Sequence, residues 1–251
     1  VIRFERRGFV GLLTIDRPER RNALTGEMCD EVYDHLMGSH AQRAIVITGA
    51  GSAFCAGADL VTRFDADAVH GGDTFRPAFE RALDAIVDHP APVIAAINGP
   101  AMGAGMQIAV ACDLRVAAPG ARLAIPGGRL GIHLSAVNIW RLATLVGQGA
   151  ARDFLLTGRS MSGEEAMSCG LVQRASDDAL AEALDLAGEI AALAPLTVQG
   201  HKRSLNLVVQ ALGADARAEI AALEARAFAS GDLREGIAAF AEKRDPLFAG
   251  E

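Results

Sequence analysis

The segment that most constrains this chain is Ile97-Asn98-Gly99-Pro100-Ala101-Met102-Gly103-Ala104-Gly105-Met106-Gln107-Ile108-Ala109. An apolar strand ends at Ile97, a glycine- and proline-rich turn follows, and an apolar helix starts near Ala104. A helix launched this way leaves its first backbone N–H groups without carbonyl partners, aimed at whatever negative charge lies ahead of them. Its body is apolar nearly all round, so it belongs inside a fold. Gln107, one turn in, is neutral and can neither take up nor release a proton. The segment is built to bind; whether it also reacts is a separate question.

The surrounding sequence says what the turn is embedded in. Short β-branched and aliphatic runs over 11–16, 44–48, 93–97, 114–117 and 121–125 read as buried strands. Between them lie amphipathic helices. One is capped by Thr25 and runs through Met37, with Glu27 in its first turn. Another over 75–88 places Phe75, Phe79, Ala82, Leu83 and Ile86 on one face and is ended by Pro90 and Pro92. His89, between Asp88 and Pro90, reads as a turn residue, and Asp113 as fixing the turn after the buried helix. This rhythm predicts an α/β chain built as a spiral of ββα units, not a doubly wound sheet.

After residue 140 the pattern is helical. Ser162 and Glu165 form a capping-box pair, 179–193 is an amphipathic alanine- and leucine-rich helix, and Pro195 opens a helix over 196–212. The last segment, 214–242, is alanine-rich and helical. The expected organisation is a core over 1–194 followed by a helical region over 195–251 that supports oligomers, the alternative being helices that fold back on their own chain.

With 251 residues, 51% hydrophobic and a net charge of −7, the chain suits one large core and offers no surface for nucleic-acid phosphates. Cys29, Cys55, Cys112 and Cys169 have no metal-ligand spacing and read as reduced thiols of a cytosolic protein. The opening Val1-Ile2-Arg3-Phe4-Glu5 is strand-like rather than signal-like, and no apolar run reaches membrane-spanning length.

Four segments, in order, carry a family resemblance: Arg17-Pro18 with Asn22-Ala23-Leu24; Phe54-Cys55-Ala56-Gly57-Ala58-Asp59-Leu60; the 97–113 segment ending in Cys112-Asp113; and Glu235-Gly236 with Phe240, Glu242, Lys243 and Arg244. Together they resemble the enoyl-CoA hydratase/isomerase (crotonase) superfamily over essentially the whole chain. The resemblance implies a ββα spiral, homotrimers that often pair into hexamers, and a coenzyme A thioester as ligand with no permanently bound cofactor. It implies an oxyanion hole made by the backbone N–H groups of Ala58 and Ala104. On the coenzyme side it implies Arg20 or Arg21 near the nucleotide phosphates and Ala23, Ala56, Ala58, Asp59 and Leu60 along the groove. Phe240 and Lys243 would complete the site from the last helix. A dinucleotide reading of Gly49-Ala50-Gly51 or Gly103-Ala104-Gly105 fails for want of the third glycine.

The same resemblance places the two hydratase glutamates at Gln107 and Gly127, an amide and no side chain at all. No carboxylate lies anywhere in 125–130 to take over. Each such group is worth about 10²–10⁴ in rate, and groups acting as a unit lose most of that when one goes. Ser135, where some relatives carry an aspartate, is neutral. His133 is the best substitute base by its titration range, the alternative being a loop histidine satisfied by backbone or water. Arg129 and Asn138 can orient a ligand but not act as bases. Glu80 lies on a helix that should border the acyl pocket, and by its spacing it is expected to point to solvent, opposite Phe79 and Leu83. The leading expectation is an acyl-CoA-binding protein of lipid metabolism with weak or absent hydratase activity. Behind it stand an active hydratase or isomerase using another acid or base, and a structural oligomer with a vestigial pocket. The glycine-containing stretch 61–74 reads as a mobile loop over the acyl end.

Overall fold

The computed structural model describes residues 1–60, 74–209, 222, 225, 228–244 and 246. In chain order its strands are β1 (Ile2–Arg7), β2 (Val10–Ile15), β3 (Ala44–Gly49), β4 (Val93–Ile97), β5 (Ala101–Met102), β6 (Leu114–Ala117), β7 (Leu123–Ala124) and β8 (Arg174–Ala175). The described helices are α1 (Gly26–Met37), α2 (Phe75–Asp88), α3 (Ala104–Ala111), α4 (Ala136–Thr157), α5 (Gly163–Ser168), α6 (Ala179–Ala191), α7 (Pro195–Val209) and α8 (Gly231–Glu242).

The main sheet runs β1-β2-β3-β4-β6-β8, with β1 antiparallel to β2 and every later pairing parallel. Parallel strands covered on both faces read as unbroken apolar runs, and β3 and β4 are buried at every position. Alternate residues serve different layers. Leu12, Val46, Ile94 and Val116 pack against Ala179, Ala183, Leu186 and Ala187 of α6. Leu13, Ile45, Ile47 and Ala95 face the main core with the apolar sides of α1, α2 and α3.

Each strand of the sheet's centre is followed by a second, shorter step. β5 pairs with β7, and single bridges Leu24–Ala58, Cys55–Ala101 and Leu123–Met161 extend that row on either side. Leu24 follows β2, Cys55 and Ala58 follow β3, Ala101 follows β4 and Leu123 follows β6, so the row climbs one step per turn. This is the predicted ββα spiral, although the strand expected over 121–125 shortens to Leu123–Ala124.

Local signals set the helix starts. Thr25 Oγ1 accepts from Met28 N at 3.3 Å, Ser162 and Glu165 form the reciprocal capping box, and α7 begins at Pro195. α4 is two helical pieces broken at Gly147, whose φ of 78° and ψ of 161° are not helical. α7 folds back on its own chain: buried Lys202 Nζ donates to Asp113 Oδ2 at 2.7 Å and to Ala91 O at 3.1 Å. Asn206 Nδ2 adds a bond to Val87 O. Most of 214–230, and all of the 61–74 stretch except Thr74, lie outside the described residues.

Two buried polar side chains brace the core. Arg115, 1% exposed, donates to the carbonyls of Ala109, Cys112, Asp113 and Leu171 and to Gln173 Oε1, all neutral acceptors. Burial lowers its pKa to about 10, which leaves it charged at neutral pH. Two of those carbonyls cap the C-terminal end of α3 with a positive charge, as the helix dipole favours. His89 is more than a turn residue: its ring is buried between Ser39 Oγ and the Ala91 backbone, and burial pushes it down to about 4. Cys29, Cys55 and Cys112 are buried free thiols, each pushed up to about 12 by burial. No described helix is long and apolar enough to cross a membrane.

Candidate functional site

A cavity of about 550 Å³ opens where the short second row meets α2, α3 and the 125–135 loop, with Phe228 and Phe240 also in its lining. Two backbone donors face into it. Leu24 N donates to Gly57 O and Asp59 N donates to Leu24 O, so both neighbours of Ala58 serve Leu24. The peptide N–H between them, on Ala58, therefore points the other way, towards the cavity. Ala104 is the first residue of α3, where an N–H has no carbonyl one turn back. Among the described residues neither N–H has a protein acceptor.

Gly57 brings the two donors together. Its φ is 106°, and a Cβ placed on it would come within 3.0 Å of Met102 O and 3.7 Å of Ala104 N. A Cβ there would press on the Met102 carbonyl and the φ is one that side chains rarely adopt, so glycine suits the close approach of the turn before α3 to the turn after β3. Unpaired N–H groups on one cavity suit an oxygen that gains negative charge.

Every residue of α3 is buried except Gln107, which faces the cavity. Its orientation is dictated from behind. Arg141, which carries only donors, bonds Asp84 Oδ1 and Asn138 Oδ1 at 3.1 Å each. Asn138 must then present its amide N–H groups forward, and Nδ2 lies 2.9 Å from Gln107 Oε1 and 3.4 Å from Glu80 Oε1. With its oxygen engaged, Gln107 offers the cavity an N–H donor.

Glu80 is not on the solvent side. It is half-buried and lines the cavity, so the expectation from helix spacing is corrected here. At about 100° per residue Glu80 lies about 60° from Leu83, on the flank of the apolar face rather than opposite it. The start of α4 covers that flank. Burial pushes the Glu80 carboxyl above the usual carboxylate range and Asp84 adds to this, while Ser135, Arg141 and Arg76 hold it down.

Gly127, Ser135 and His133 also line the cavity. Gly127 begins a single 3₁₀ turn whose carbonyl accepts from both Leu130 N and Ile132 N, at 3.0 Å each. A Cβ on Gly127 would strike the Ile132 carbonyl oxygen, so the loop closes over the space a side chain would need. Ser135 Oγ and His133 Nδ1 are buried without a hydrogen-bond partner among the described residues. Ser135 Oγ lies close enough to Glu80 to influence its charge but outside good hydrogen-bond geometry.

At the other end, Arg20, Arg21, Ala23, Ala56, Asp59 and Leu60 all border the cavity. Arg20 and Arg21 are exposed, whereas the Asp59 carboxylate is turned inward to Arg17 Nη1 at 2.8 Å. That pair, with buried Asn22 holding Arg17 N, Ala50 O and Ala53 O, locks the 17–24 segment onto the 50–59 turn. Phe240 reaches the cavity, but Lys243 is exposed at the left-handed C-cap of α8 and does not line it. The sequence places the helix of Glu80 beside the pocket but turns the side chain the wrong way, and it gives no signal for Phe228.

The family model for enoyl-CoA hydratase/isomerase matches residues 5–251. A Mycobacterium tuberculosis protein named "Probable enoyl-CoA hydratase echA6" is 42% identical over 253 residues, covering 95% of this chain and 96% of its own. The crystal structure of an enoyl-CoA hydratase/isomerase from Pseudoalteromonas atlantica superposes with a TM-score of 0.85 at 35% identity, over 99% of each chain. Carnitinyl-CoA hydratase from Mycobacterium avium does so with a TM-score of 0.87 at 33% identity, over 100% of this chain and 98% of that one. The turn-and-helix segment, the second-row geometry and these likenesses agree: the chain belongs to the enoyl-CoA hydratase/isomerase family.

Proposed function

We propose that this protein binds acyl thioesters of coenzyme A in lipid metabolism and hydrates enoyl thioesters weakly or not at all. The observation that carries this is the conjunction of two free backbone donors with Gln107 and Gly127 at the positions to which the resemblance assigns the acid and base. Ala58 and Ala104 would hold the thioester oxygen. Exposed Arg20 and Arg21 would meet the nucleotide phosphates, and Ala23, Ala56 and Leu60 the groove between. Asp59 would act indirectly, by holding Arg17. Assembly as a trimer or a dimer of trimers is part of the same reading, with the exposed Lys243 free to serve a neighbouring subunit.

Hydration needs a water activated at the β-carbon and a proton delivered to the α-carbon. A primary amide and a hydrogen atom do neither. The test is calorimetric titration with a panel of CoA thioesters, short to long, while the enoyl absorbance of the same samples is followed. Binding with the chromophore preserved is the expected result. Rapid loss of the chromophore refutes the proposal. Absence of binding, with no rise in Tm on adding thioester, leaves a vestigial pocket instead.

A further inference from the structure

We propose that Glu80 is the proton-transfer residue of this cavity, acting at the α-carbon of a bound acyl thioester. The inference rests on the acyl-CoA reading above and deepens it. Among the described residues lining the cavity, the other carboxylates are Glu19 and Asp59, near the basic end, and Asp59 is engaged with Arg17. Glu80 shares Asn138 Nδ2 with Gln107, one turn along α3 from Ala104, which puts it beside the acyl group of a thioester held by Ala58 and Ala104.

The surroundings suit a base that must gain and lose a proton. Asn138 Nδ2 contacts one carboxylate oxygen at 3.4 Å while its stronger bond, 2.9 Å, goes to Gln107. Glu80 is therefore oriented without being neutralised by a close cation. The charged groups that face it are Arg76 and Asp84 on its own helix and Arg141 on α4; His133 and Ser135 approach from the loop. Arg141 is drawn off by Asp84 and Asn138 Oδ1. A partly desolvated carboxylate is a better base than one in water, and a position on a helix gives it a fixed aim.

The step is balanced within the site. The Cα–H bond breaks, its electron pair moves into the thioester to form an enolate, and the proton passes to Glu80. The enolate oxygen is held by the Ala58 and Ala104 N–H groups, and the same carboxyl returns a proton to carbon. No oxidant, reductant or second substrate is consumed. One carboxylate suffices for this exchange but not for adding water across a double bond, which is why it accompanies weak hydration.

The experiment follows α-hydrogen exchange of saturated thioesters, butyryl-CoA and octanoyl-CoA, in D₂O by proton NMR, alongside calorimetric binding of the same compounds. Saturated chains cannot be hydrated, so exchange reports proton abstraction alone. Wild type is expected to exchange the α-protons, with a rate that rises as Glu80 deprotonates. Glu80→Gln is expected to lose at least ~100-fold in exchange while keeping its thioester affinity and Tm, with Glu80→Asp in between. Binding without exchange in wild type, or equal exchange in wild type and Glu80→Gln, overturns the role of Glu80 and leaves the binding reading standing. Absence of binding by wild type overturns that reading and, with it, this one.

Discussion

Replacing Gly127 by Glu, alone or with Gln107→Glu, is the direct attempt to give this cavity the two carboxylates of a hydratase. The structure argues that it fails for a steric reason before a chemical one. Any Cβ at 127 meets the Ile132 carbonyl, so the loop must open. Opening it releases the two 3.0 Å bonds from Leu130 N and Ile132 N to Gly127 O. At a net worth of about 0.5–1.5 kcal/mol each, these amount to about 1–3 kcal/mol. Crowding in a packed site adds about 1–3 kcal/mol. A loss of about 2–6 kcal/mol in a chain of this size lowers Tm by roughly 5–20 °C. Gly127→Ala carries the same Cβ without the charge and separates crowding from electrostatics; it should show most of the loss. Thermal unfolding of both variants, followed by enoyl absorbance assays on whatever remains folded, tests the argument. Gly127→Ala with an unchanged Tm, or a Gly127→Glu/Gln107→Glu protein that is as stable as wild type and hydrates crotonyl-CoA, would refute it.

Other perturbations have equally definite outcomes. His89 is held neutral to about pH 4 in the folded chain, whereas an ordinary histidine protonates near 6.5. The unfolded chain binds more protons across that window, so stability rises with pH through it and is lost on acidification, by up to about 3 kcal/mol. Glu80, shifted upwards, contributes with the opposite sign, so the readout is the difference between wild type and His89→Gln in urea midpoints at either end of the window; parallel slopes would count against the assignment. Arg115→Met leaves several buried carbonyls without donors and should cost about 3 kcal/mol or more in denaturant unfolding, with weaker thioester binding as α3 loosens. A cost under about 1 kcal/mol would show that those carbonyls find other partners. Lys202→Met strands Asp113 beside Val93 N and should raise amide exchange in Pro195–Val209 above that of the sheet; unchanged protection would mean that α7 is held by other contacts.

What could be read in the sequence was local or carried by motifs. The strand runs, the Thr25 cap, the Ser162–Glu165 box and the Pro195 start are local, since each rests on residues a few positions apart. Ala58 and Ala104 are named by the family resemblance of the segments that hold them; glycine spacing by itself announces only the turn ahead of Ala104. Glu80 could not be placed in the same way. Its neighbours on α2 give only a direction around the helix, and what lies in that direction is α4, more than fifty residues later. The pairings of Lys202 with Asp113 and of Asp59 with Arg17 are likewise contacts between distant segments, invisible to a window along the chain. The crowding at Gly127 is subtler still: the missing side chain is plain in the sequence, but the carbonyl of Ile132 that would collide with it is a property of the folded loop.

The two cavity donors come from consecutive turns of the spiral, one from the step after β3 and one from the step after β4, and both are peptide N–H groups. Every residue except proline carries that group, so substitution at Ala58 or Ala104 does not erase it. What erases it is a slip in register, because a one-residue shift at the Leu24–Ala58 bridge would turn the Ala58 N–H back into the protein. The two backbone donors of this cavity thus depend on geometry alone, whereas Gln107 and Glu80 depend on side-chain identity. A substitution at Gln107 or Glu80, which share Asn138 Nδ2, changes what the cavity carries without moving those two N–H groups.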